Sequence, residues 1–148
     1  MTIALIDDQH LGQVLRGRTP RPLTSKELYT TGYWYVRLCQ AVLGVQERLG
    51  VLSGPFAGLP AGLRASAVNA VLELPSEIGL ISLRELAPTI ARLREDHQLN
   101  VLSIEVLAAA TRLDAQVFLS APSPMLEAAL KRRRLSVKVS RRVRTVGA

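Results

Sequence analysis

The chain of 148 residues is expected to fold as an α/β protein built on a parallel sheet. Three observations predict this. Residues 101–139 read as helix, strand, turn, helix, strand in under forty residues. An all-apolar run, Ile3 to Ile6, opens the chain as a buried central strand does. Residues 78–82 supply a further strand candidate between helical stretches. Strands alternating with helices imply parallel strands joined by right-handed crossovers. Ligands of such sheets sit at the carboxyl ends of the strands, so function is sought in the residues just after each one.

Taken in order, the first strand stops at Asp7-Asp8, and a helix follows through Val14 and Leu15. Two adjacent acids there repel each other unless a cation lies between them; alternatively, Asp8 caps the helix and Asp7 begins a turn. Residues 17–22 (GRTPRP) form a loop. Thr24 and Glu27 have the spacing of a capping box. The helix they would open carries Leu28, Gly32, Tyr35, Val36, Cys39, Val42 and Leu43 on one stripe. Cys39 is expected to be a small core residue, and Tyr33 and Trp34 lie off the stripe, where they would offer an aromatic partner surface. The Gly- and Pro-rich residues 50–62 lack the Gly-Lys-Ser/Thr of a phosphate loop and read as a flexible connection. Helices are expected over residues 63–74 and 84–97, with Pro88 making the second start late or kink. His10 and His97 lack partners at metal-ligand spacing and are expected at the surface.

In the last third, Ser103 is expected to cap a Leu- and Ala-rich helix over residues 105–113. Residues 116–119 alternate as a short strand. Ser123 and Pro124 start a helix containing Met125, Leu126, Ala129 and Leu130, and residues 135–139 form the last strand. Residues 1–139 are read as one domain and 140–148 as a basic tail.

Nearly half the residues, 48%, are hydrophobic and 21% are charged, which is a globular composition. No basic segment precedes the first apolar run, so no signal peptide is expected. No apolar stretch approaches the ~18 residues that cross a membrane. A lone cysteine fits a reducing cytoplasm. The net charge of +7 is localised: eight basic residues and no acid follow Glu127, namely Lys131, Arg132, Arg133, Arg134, Lys138, Arg141, Arg142 and Arg144. The remaining eleven basic residues nearly balance all twelve acids. Lys131, Arg132, Arg133 and Arg134 are therefore the candidate contacts to a phosphate backbone, or else a solvated helix end that complements the helix dipole.

IALIDDQHL at the start and LSIEVLAAATRLDAQVFLSAPSPMLEAALKRRRLSVKV at the end resemble the PIN domain, the metal-dependent nuclease fold of VapC-type toxins. The resemblance spans residues 3–139 and lies in the order and spacing of the segments. It implies a three-layer α/β/α sandwich with a central parallel sheet, and often a homodimer. Family catalysis uses about four carboxylates around Mg²⁺ or Mn²⁺, which lowers the pKa of a bound water and stabilises charge on the phosphate. Asp7 holds the first acidic position and Glu105 replaces an Asp at the third. Arg37 falls at the second and Pro122 at the fourth, so two acids are missing. An arginine there repels a metal ion and is expected to pair instead with Asp7 or Glu105. Three functions follow as expectations. The first is a degenerate nuclease relative that binds nucleic acid or protein. The second is an active ribonuclease of the VapC type, with Asp7 and Glu105 catalytic, Asp7, Asp8 and Glu105 holding Mg²⁺ or Mn²⁺, and a cognate antitoxin as partner. The third is a structural subunit that docks through Tyr33 and Trp34.

Overall fold

A computed structural model describes residues 2–44 and 50–140. Five parallel strands, β1 (Ile3–Ile6), β2 (Glu27–Thr30), β3 (Ile78–Leu80), β4 (Gln116–Leu119) and β5 (Val137–Val139), lie in the order β3-β2-β1-β4-β5. Between them run α1 (Asp8–Leu15), α2 (Gly32–Leu43), α3 (Gly54–Ala57), α4 (Ala61–Leu72), α5 (Leu83–Leu93), α6 (Val101–Leu113) and α7 (Pro124–Arg132). The expected α/β fold with a central parallel sheet is the fold observed.

Strand side chains alternate between two cores. Ala4, Ile6 and Phe118 meet Leu11, Leu38, Phe56 and Val71 from α1 to α4. Leu5, Val117 and Leu119 meet Leu86, Ile104, Leu107 and Leu126 from α5 to α7. Helices thus cover both faces in a three-layer sandwich, which is why β1 is apolar at every position. The chain moves outward from β1 to β2 and β3, then returns to the other side of β1 with β4. The carboxyl ends of β1 and β4 therefore flank the point where the strand order reverses.

Several expectations change. Thr24 and Glu27 do not open a helix. The Thr24 hydroxyl donates to the Arg21 carbonyl at 2.9 Å, closing a 3₁₀ turn (Arg21–Leu23). Glu27 enters β2, opposite Ile3. Pairing with β1 and β3 outweighs a weak local cap, because Leu28, Tyr29 and Thr30 suit a pleated, half-buried surface. Helix α2 begins later, with the Thr31 hydroxyl accepting the Trp34 N–H. That register buries Trp34, Leu38 and Val42 and exposes Val36 and Leu43. Trp34 is 3% exposed, so no paired Tyr33–Trp34 surface forms. Cys39 is half-buried against the α1–α4 core, as a packing residue would be.

Asn100 rather than Ser103 caps α6, its side chain accepting the Ser103 N–H at 2.8 Å. Helix α6 ends at Asp114 in the left-handed region (φ 49°), a conformation Asp tolerates better than most residues. Helix α5 starts at Leu83 and contains Pro88, so it does not start late, and it stops at Leu93. The glycine-rich connection includes α3, whose Phe56 is buried in the core.

Candidate functional site

Asp7 is the first residue beyond β1 and the N-cap of α1. Its Oδ1 accepts the His10 N–H at 2.9 Å and the Ser120 hydroxyl at 2.8 Å, and its Oδ2 accepts the Ser120 N–H at 2.7 Å. Ser120 is the first residue beyond β4, so one carboxylate ties together the two strand ends at the switch point. Asp8 opens α1, with Oδ1 accepting the Gln9 N–H at 2.9 Å. Its Oδ2 lies 3.1 Å from Arg37 Nε. The N–H does not point at the oxygen, so this is a charge contact and not a hydrogen bond. Arg37 thus pairs with Asp8, and not with Asp7 or Glu105 as the sequence suggests; its long side chain reaches from α2 to the start of α1. Both acids also face the positive end of the α1 dipole. Burial, followed by the neighbouring Asp7 charge, raises the pKa of Asp8, and Arg37 opposes the rise.

Asp7, Asp8, Trp34, Arg37, Asn100 and Ser103 help to line a cleft of about 400 Å³ at the carboxyl ends of the strands. Glu105 is not in that lining. It is fully buried in α6, with Oε1 accepting the Tyr33 N–H at 2.9 Å and Oε2 without a partner. It sits under the start of α2 close to Gly32, where a Cβ would stand a tight 3.1 Å from Oε2. Pro122 lines a neighbouring cleft with Gln9, Ser120 and Glu127.

Asp7 and Asp8 are therefore brought together, while Glu105 is engaged elsewhere. Among the described residues, no three His, Cys, Asp or Glu side chains form a group that could hold a metal ion. Mg²⁺ and Mn²⁺ require several free oxygen ligands. Three protein donors already occupy Asp7, and the Arg37 guanidinium puts a positive charge against Asp8 Oδ2, which accepts no hydrogen bond. As arranged, these residues do not fit the metal.

Both histidines are buried rather than at the surface, each 5% exposed. His10 places Nδ1 3.2 Å from Gln13 Oε1 and Nε2 3.3 Å from the Ser140 hydroxyl. His97 accepts the Arg133 Nε–H through Nε2 at 3.2 Å. Burial, then Arg133 and Arg132, hold its pKa below the usual histidine range. Sequence reasoning assigned Ser120 no role. Its one signal was its place directly after a strand.

Lys131, Arg132, Arg133 and Arg134 are exposed at the carboxyl end of α7, beside the amino ends of the strands. Seven helical residues, Pro124 to Leu130, about 10 Å of axis, separate the cluster from the acidic cleft's end of the sheet. Arg133 is anchored by His97 and lies 3.7 Å from Asp96. Residues 141–148 of the basic tail lie outside the described residues. No helix among the described residues is long and apolar enough to cross a membrane.

Comparison with protein-family models and with curated proteins returns no match for this chain. Fold and site define an α/β protein with a central parallel sheet and an acidic pair at its switch point, one acid held by hydrogen bonds and the other facing an arginine.

Proposed function

We propose that this chain is a PIN-like domain that has lost metal-dependent nuclease activity and acts by binding nucleic acid through its phosphate backbone. Lys131, Arg132, Arg133 and Arg134 make the contacts. Support comes from the order of the elements, the acids after β1 and an exposed cationic helix end. One observation carries the reading: Ser120 donors engage Asp7 and the Arg37 cation stands 3.1 Å from Asp8 Oδ2, at the residues that would otherwise hold Mg²⁺ or Mn²⁺. Catalysis through a metal-bound water needs carboxylates free to bind the ion; here their charge is spent inside the protein.

Calorimetric titration with Mn²⁺, on the wild type and on Asp7→Asn, tests this. The expected result is no binding at micromolar strength in either. Micromolar binding that disappears in Asp7→Asn would overturn the proposal. It would restore a Mg²⁺- or Mn²⁺-dependent ribonuclease of the VapC type, with a cognate antitoxin as the partner to seek.

A further inference from the structure

The carboxyl-terminal turns of α5, α6 and α7 converge at the amino ends of the strands. Between them lie two adjoining clefts of about 540 and 360 Å³ that share Asp96, Thr111 and Arg133. Arg92 of α5 and Arg112 of α6 line the larger, and Arg132 of α7 lines the smaller. Four arginines from three helices thus face one groove. Among the described residues, Arg92, Arg112 and Arg132 have no carboxylate within ion-pair distance.

Arg133 is held differently. Buried His97 accepts its Nε–H, and this fixes the guanidinium at the junction of the two clefts. Asp96, Glu95 and Asp114 also line the walls, and Asp96 lies against Arg133. Four cations thus line the two clefts against three carboxylates, and Lys131 and Arg134 adjoin Arg132 and Arg133 in the chain.

Arginines in last turns offset helix dipoles, which accounts for each alone. It does not account for their convergence on one groove around an anchored guanidinium. A guanidinium presents a planar fork of donors that matches phosphate oxygens. No Phe, Tyr or Trp side chain lines either cleft, and the one imidazole there, His97, is buried against Arg133, so bases find no open stacking platform.

We infer that this groove binds the phosphate backbone of a single-stranded nucleic acid, with Arg92 and Arg112 extending the contact surface beyond Lys131–Arg134 and with no preference among bases. This rests on the nucleic-acid reading above and adds the path of the strand, which runs at the pole opposite the acidic cleft.

Fluorescence anisotropy with labelled oligouridine and oligoadenosine, over a range of salt concentrations, tests it on the full chain. The proteins are the wild type, Arg92→Ala/Arg112→Ala, and Lys131→Ala/Arg132→Ala/Arg134→Ala, each checked for an unchanged circular dichroism spectrum. On single strands each neutralised phosphate contributes about 0.7 to the slope of log affinity against log salt. The double variant is expected to lose about 1.4 of slope and to bind roughly tenfold more weakly at low salt. If it matches the wild type while the triple variant fails to bind, the groove is overturned and the nucleic-acid reading stands. A wild type that binds neither oligonucleotide overturns both. A strong preference for one oligonucleotide overturns the backbone-only mode.

Discussion

Asp8 carries the electrostatic strain of the acidic cleft. Its carboxyl is raised above the ordinary value of 3.8, first by burial and then by Asp7. The folded state therefore binds that proton more tightly than the unfolded chain does. A group of this kind contributes its stability fully below its unfolded pKa and loses it as pH rises through the raised folded value. At neutral pH, then, ionised Asp8 opposes folding even with Arg37 beside it. Asp8→Asn is expected to melt higher than the wild type at neutral pH, with the gain vanishing about one unit below the ordinary value of 3.8, as calorimetric scans at the two pH values will read. An Asn that melts lower at neutral pH would mean that the Arg37 contact outweighs the burial of the charge. The contact alone is modest, because the Arg37 side chain is 55% exposed and water screens it.

At the scale of elements, α2 is capped from a distance. Thr31 supplies its local cap, but the Tyr33 N–H is satisfied by Glu105, 72 residues further along the chain. Glu105 therefore positions a helix whatever else it does. Glu105→Ala leaves the part-buried Tyr33 N–H without its acceptor and is expected to cost about 1 kcal/mol from that bond. Glu105→Gln keeps an acceptor oxygen and is expected to cost less. Urea unfolding of the two variants separates them; equal losses would mean that the carboxylate's charge, not its hydrogen bond, holds α2. A comparable long-range fit joins β2 to β3, where the Tyr29 ring lies against Gly79 in the paired register and leaves no room for a Cβ.

Across the whole molecule, a parallel sheet separates two charged poles. The acidic cleft lies at the carboxyl ends of the strands and the arginine groove at their amino ends. Arg37→Ala is accordingly expected to leave oligonucleotide affinity within about twofold of the wild type, since the Debye length at physiological salt is only about 8 Å. A larger loss in the anisotropy assay would place the RNA across both poles. The class of the fold, β1, β4, α1, α7 and the basic end of the chain are legible in the sequence, because apolar periodicity and charge runs are local properties. So is the place of Asp7, directly after a buried strand. Tertiary structure alone decided the rest. Glu27–Thr30 became a strand only because β1 and β3 offered partners on either side. Ser120 reaches Asp7 across 113 residues of sequence, because the strand order sets β4 beside β1. Arg37 meets Asp8 only through the packing of α2 on α1, and Arg92, Arg112 and Arg133 share a groove only because three helices end together. No window of neighbouring residues contains such contacts, since they are properties of the packed molecule.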